Sequence, residues 1–146
     1  MLTKTPQTQL PNTVEAIGRD RLWIGIGALL ALISVAAGAA GTHALEDVID
    51  ADALDTFETA VRFQMYHALA LLFTGLLSSR WTSWASWVKR LVNAAGWLFT
   101  FGTVIFSGSL YILALSDIGL FGAIAPIGGA CLLAGWASLA LGAIRR

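Results

Sequence analysis

Charge is scarce in this chain: 9 Lys or Arg and 9 Asp or Glu make up 12 % of its 146 residues, and the formal net charge is zero. A soluble domain carries about 25 % charged residues, so an ordinary globular interior-and-surface arrangement is excluded. With no basic excess there is no stripe on which a phosphate backbone could lie, and no nucleic-acid partner is expected. Cysteine is nearly missing too. Cys131 stands alone inside an apolar run, which excludes an intrachain disulfide and any cysteine-based metal motif. No Ser-His-Asp or Cys-His signature, glycine-rich phosphate loop or HExxH helix is present, so nothing in the chain points to catalysis.

What the chain has in abundance is apolar sequence, 57 % of all residues. It falls into four runs, which predict transmembrane helices at about 22–41, 56–79, 91–115 and 119–144, each near or above the roughly 20 residues that cross a hydrocarbon core. Residues 1–20 read as a flexible cytoplasmic tail and 21–146 as the membrane domain. The first run exceeds the usual 7–15-residue core of a signal peptide, so it reads as a retained helix. The fold class expected is all-α, a polytopic four-helix membrane bundle.

The few charges alternate by gap. Lys4, Arg19 and Arg21 precede the first run, Arg80, Lys89 and Arg90 separate the second from the third, and Arg145 and Arg146 follow the fourth. The other two gaps hold Glu46, Asp47, Asp50, Asp52, Asp55 and Glu58, and then Asp117. Basic residues concentrate on the cytoplasmic side of bacterial membrane proteins, which predicts both termini inside and a plasma-membrane location. Trp23, Trp81, Trp84 and Trp87 fall at the same boundary, where indole rings prefer the headgroup level. The segment from Trp81 to Trp87 reads as a short piece lying on the inner surface.

Small residues recur at three- and four-residue spacing and predict packing faces: Gly27, Ala31, Ser34, Gly38 and Gly41 on the first helix, and Ala123, Pro126, Ala130, Ala134 and Ala137 on the fourth. Asp55 and Glu58 read as the cap and capping box of the second helix. Arg62 follows Glu58 at i,i+4, the favourable order for an ion pair.

Polar groups inside a bilayer need a partner or a purpose. Gln64, His67, Thr74 and Ser78 share one face of the second helix, and Gly96, Thr100, Thr103, Ser107 and Tyr111 share one face of the third. These two faces are expected to meet. His43, Ser109 and Pro126 are expected to join them in the outer half of the membrane, with the carbonyl of Gly122, freed by Pro126, taking a donor from the cluster. The candidate set, ligand-binding or structural, is therefore His43, Arg62, Gln64, Tyr66 and His67, with Ser107, Ser109, Tyr111 and Pro126. No metal and no cofactor is expected; the weak metal candidates are His43 and His67, with Asp50, Asp52 and Asp55 beside His43 reading first as a solvated acidic loop, and a haem between the histidines would lack basic groups other than Arg62 for its propionates.

Four stretches carry a family resemblance: Gly38-Ala39-Ala40-Gly41-Thr42-His43-Ala44-Leu45, then the segment from Thr59 to Ala70 containing Arg62, Gln64, Tyr66 and His67, then Phe106-Ser107-Gly108-Ser109-Leu110-Tyr111, and Ala125-Pro126-Ile127-Gly128-Gly129. With them the chain resembles the domain-of-unknown-function 423 family of small bacterial inner-membrane proteins, related to eukaryotic transmembrane protein 256. Thr42 stands where a second alanine is usual and Phe63 where tyrosine is common. The resemblance implies a four-helix inner-membrane protein and no particular activity.

The function expected is that of a non-enzymatic accessory or assembly factor, or of a small-ligand-binding membrane protein. A small transporter or channel component acting as an oligomer is the alternative, and a membrane enzyme the third. The partners expected are membrane lipid and either a second copy or another membrane protein.

Overall fold

Asp50 stands immediately before the second long helix. Its Oδ1 accepts the Ala53 N–H at 2.8 Å, an N-cap that fixes the first turn of a helix five residues earlier than the sequence suggests. Asp50, Asp52 and Asp55 are all acceptable caps by type. The first of them wins because the helix then gains an extra turn of backbone hydrogen bonds, while Asp52 and Asp55 stay close to the positive end of the helix dipole.

A computed structural model describes residues 13–80 and 84–144, with side chains from Gly18 onward. It comprises α1 (Thr13–Ala40), α2 (Ala51–Arg80), α3 (Ser86–Ser116) and α4 (Leu120–Ile144), with no strand among the described residues. The last turn after α1, Gly41–Leu45, is π-helical. Four helices are long and apolar enough to cross a membrane. Thr13–Asp20, expected in the tail, is helical; the rest of the expected tail, with Lys4, lies outside the described residues, as do Trp81, Arg145 and Arg146. Trp87 belongs to α3 and not to a separate surface piece.

The hairpin between α3 and α4 closes through Asp117, which takes the left-handed conformation at φ 55° and donates its N–H to the Leu113 carbonyl at 2.9 Å. An aspartate tolerates this C-cap position better than a branched residue would.

Helices α2 and α3 form the central pair, with α1 packed along α2 and α4 along α3. Apolar burial gives no drive between helices in lipid, so close backbone approach has to hold them. Gly27 lies so near α2 that a Cβ there would be 2.8 Å from the Ala68 carbonyl oxygen, and Gly75 of α2 meets the Asp20 carbonyl of α1 at the same distance. Between α3 and α4 the contacts are Gly128 on the Phe106 backbone, Gly102 against Leu132 and Gly135 against Phe99.

The α1 stripe faces inward as expected, with Gly27, Ser34 and Gly41 buried. The α4 stripe does not: Ala123, Pro126, Ala130, Ala134 and Ala137 are all exposed, and Ala125, Gly128, Leu132, Gly135 and Gly142 are buried instead. Glycine admits a closer neighbour than alanine, and that closeness selects the rotation of α4. Trp23 is a second correction. It is fully buried in the core with Leu71, Ala95 and Phe99, not spread at a headgroup boundary, because Gly96 leaves a notch for its ring.

Candidate functional site

The polar side chains inside the bundle divide into a bonded group and an unbonded one. In the bonded group α1 and α2 hold each other reciprocally. Gln64 Nε2 donates to the Leu30 carbonyl at 2.9 Å, and Ser34 Oγ donates to the Val61 carbonyl at 2.8 Å. Interhelical bonds of this kind contribute about 0.6 kcal/mol each on average, so the pair fixes register more than it adds stability.

His67, near the midpoint of α2, joins three helices. Its Nδ1 is 2.8 Å from the Phe63 carbonyl, and Trp136 Nε1 of α4 donates to its Nε2 at 3.2 Å. An indole N–H can only donate and a carbonyl can only accept, so the imidazole carries its proton on Nδ1 and offers the Nε2 lone pair to Trp136. In this arrangement the ring is neutral. Phe99 of α3 lies 5.7 Å away, and Phe63 stacks at 6.1 Å.

The unbonded group lies on α3. The Thr103, Ser107 and Tyr111 hydroxyls are buried without a hydrogen-bond partner, and Trp23 Nε1 shares that condition at the level of Gly96. Thr103 and Ser107 are each only 1 % exposed. A serine or threonine in a helix ordinarily donates to a carbonyl one turn back. Thr74, Ser78, Thr100, Ser109, Ser116 and Ser138 all do so here. Thr103 and Ser107 do not, although both are buried.

Rings set the register of α2 against α3: Phe57 with Tyr111 at 4.9 Å, Phe63 with Phe106 at 4.7 Å and His67 with Phe99. Thr103 accordingly lies at the level of Gln64 and Ser107 at that of Ala60. The two faces expected to meet do face one seam, but Gln64 and His67 do not bond Ser107 or Tyr111. A backbone carbonyl of α1 and the indole of α4 take them instead. The polar residues also reach deeper than the outer half, since Gln64, His67 and Thr103 sit near the middle of their helices.

Other candidates fall outside. His43 is exposed in the π-helical turn, whose Gly41 packs on Phe57; that is ten residues of helix, about 15 Å, from His67. The two histidines cannot share a ligand, and among the described residues no group of three His, Cys, Asp or Glu could hold a metal ion. Arg62 pairs with Asp55 at 3.4 Å and donates to Thr59 Oγ1 at 3.0 Å, not to Glu58, and is half exposed at the rim. Tyr66 is exposed on the outside of α2. Ser109 is buried but satisfied by the Phe106 carbonyl. Pro126 occupies the exposed face of α4 and does not join the cluster.

Trp136 is the residue that sequence reasoning missed. Its signal was its position: it lies in the interior of a predicted span, away from the headgroup level that tryptophan prefers, where its N–H has to find an acceptor.

Comparison with known proteins bears on the same seam. The family described as protein of unknown function DUF423 matches residues 37–129. The chain belongs to this DUF423 family. Its relatives include the UPF0382 membrane protein SSP2132 of Staphylococcus saprophyticus, 44 % identical over 125 residues, covering 86 % of this chain and 98 % of the relative. YwdK of Bacillus subtilis is 38 % identical over 125 residues, covering 86 % and 98 %, and the inner membrane protein YgdD of Escherichia coli is 37 % identical over 130 residues, covering 86 % and 92 %. No solved structure matches. Together with the four spanning helices, these relatives establish an integral membrane protein. The matched DUF423 segment contains Gln64, His67, Thr103, Ser107 and Tyr111, and ends before Trp136.

Proposed function

We propose that this DUF423 protein is a non-enzymatic, small-ligand-binding protein of the bacterial plasma membrane, holding a small uncharged hydrogen-bonding guest in the seam between α2 and α3. One observation carries the reading: Thr103 and Ser107 are buried with free hydroxyls although the usual bond to their own helix is open to them. A buried hydroxyl without a partner costs about 1–3 kcal/mol, and two together favour an occupied seam. The guest is uncharged because no Asp, Glu, Lys or Arg of the described residues reaches the seam, all lying toward the helix ends or in the connections, and the His67 imidazole is neutral as bonded.

Replacing Thr103 by Val and Ser107 by Ala tests occupancy through the sign of the effect. With a guest bound, the double variant loses the guest's hydrogen bonds and unfolds more readily in mild detergent. With an empty seam it sheds two unpaired hydroxyls and gains stability, by about 1–3 kcal/mol for each, and the reading fails.

The proposal includes both termini in the cytoplasm, a reading supported by the charge pattern. Arg19, Arg21, Arg80, Lys89 and Arg90 collect at one end of the bundle, and the acids from Glu46 to Glu58 with Asp117 at the other. With Cys131 replaced by Ala, a cysteine at Asp50 is expected to react with an impermeant thiol reagent in intact cells, and one at Ser86 only after lysis. The reverse pattern would invert the orientation.

A further inference from the structure

Helix α2 turns one face away from all its neighbours. Gln64, Ala68 and Gly75 meet α1, Phe57, Phe63 and His67 meet α3 and α4, and the side opposite both carries Thr59, Arg62, Tyr66, Leu69, Phe73 and Leu76. Tyr66, Leu69, Phe73 and Leu76 are each more than half exposed. A face covered by lipid should be apolar along its length, because acyl chains offer no hydrogen bonds. The half toward Asp55 is not. By helical rise Tyr66 stands about 12 Å from Glu58 and about 21 Å from Arg80, deeper than the headgroup level at which tyrosine anchors. Its ring lies 6.2 Å from that of Phe63, and its phenol makes no hydrogen bond among the described residues. Arg62 makes both of its bonds through Nη2, to Asp55 and to Thr59 Oγ1, which leaves Nε and Nη1 to donate elsewhere.

We propose that this face pairs with the same face of a second copy of the chain, across a two-fold axis along the membrane normal, in a parallel α2–α2 contact. Charge decides the occupant. Arg62 is the only Lys or Arg among the described residues at the acidic end of the bundle, so a surface that complements this face has to offer acid to Arg62 and base to Asp55. A second copy offers both at the matching depth: the Arg62 that reaches its own Asp55 at 3.4 Å also reaches the Asp55 standing at the same level across the axis. Side chains lean toward the N-terminal end of a helix, which brings the Tyr66 phenol toward the level of Arg62, and the free N–H groups of Arg62 in the second copy can donate to it. Toward the basic end, Leu69, Phe73 and Leu76 of the two copies pack at the three- and four-residue spacing of a left-handed helix pair. The seam between α2 and α3 lies on the other side of α2, so the pairing is independent of any guest there.

Disulfide mapping of the full chain, in bacterial membranes and in reconstituted bilayers over a range of protein-to-lipid ratios, locates the contact. In a Cys131→Ala background, Leu69→Cys is expected to give a covalent dimer on oxidation, and Val104→Cys on α3 and Ile127→Cys on α4, which are no less exposed, little or none. Arg62→Glu sets acid against acid and is expected to weaken self-association at least about tenfold; adding Asp55→Lys to it should restore the dimer. Tyr66→Phe should weaken the pair by about threefold for each phenol lost. Crosslinks through Val104 or Ile127 in place of Leu69, a monomer at every protein-to-lipid ratio, or a different protein captured at Leu69 where a second copy is expected would each overturn the proposal. So would an Arg62→Glu chain that dimerises unchanged.

Discussion

Gly128→Ala is expected to unfold the α3–α4 hairpin far more readily than its single methyl suggests, by about 3 kcal/mol, the upper end of overpacking effects. A Cβ on Gly128 would fall on the backbone nitrogen and Cα of Phe106, and backbone cannot rotate aside as a side chain can. The helices would have to separate along their length, loosening Gly102 from Leu132 and Gly135 from Phe99 as well. Gly129→Ala is the internal control. Its Cβ would meet only the Phe106 ring at 3.7 Å, an ordinary contact, so little change is expected. Thermal unfolding in mild detergent or steric trapping in bilayers separates the two variants; equal stabilities would show that the α3–α4 contact is not made through Gly128.

The same glycine shows what was legible in the sequence and what was not. Four spans could be read because hydropathy and charge depend on composition along the chain. The rotation of α4 about its own axis could not be read from small residues in general, since alanine and glycine stripes both recur and the helix is apolar all round. A narrower signal was present: Gly128, Gly135 and Gly142 recur every seven residues, the period that stays on one face of a left-handed helix pair. Of the candidate site, the burial of Gln64, His67 and Ser107 followed from their type and spacing. Their partners did not. The Leu30 carbonyl that takes Gln64 is backbone, which every residue carries, so no side-chain pattern marks it. Ser34 was read only as a small packing residue, and its bond to Val61 depends on how closely Gly27 and Gly38 let α1 approach α2.

Trp23 carries the second large effect. Its ring is the largest fully buried side chain of the bundle; it stands edge-on to Trp97 with centroids 5.1 Å apart and fills the notch at Gly96, where a Cβ would be 2.5 Å from its Cε2. Truncating a buried aromatic to alanine costs about 3–5 kcal/mol in packed cores. Here the loss is offset by removal of an indole N–H that has no partner, worth about 1–3 kcal/mol. Trp23→Ala is therefore expected to cost about 2 kcal/mol net, and Trp23→Phe less, because it keeps most of the ring and drops the N–H. Gly96→Ala decides whether the notch is the cause. In the natural chain the new methyl collides with the indole and destabilises; in the Trp23→Ala background it enters the vacated space and restores part of the loss. That reversal of sign is a direct coupling between two residues in contact. If Trp23 were a headgroup anchor, as its place in the sequence suggests, Gly96→Ala would have the same effect in both backgrounds.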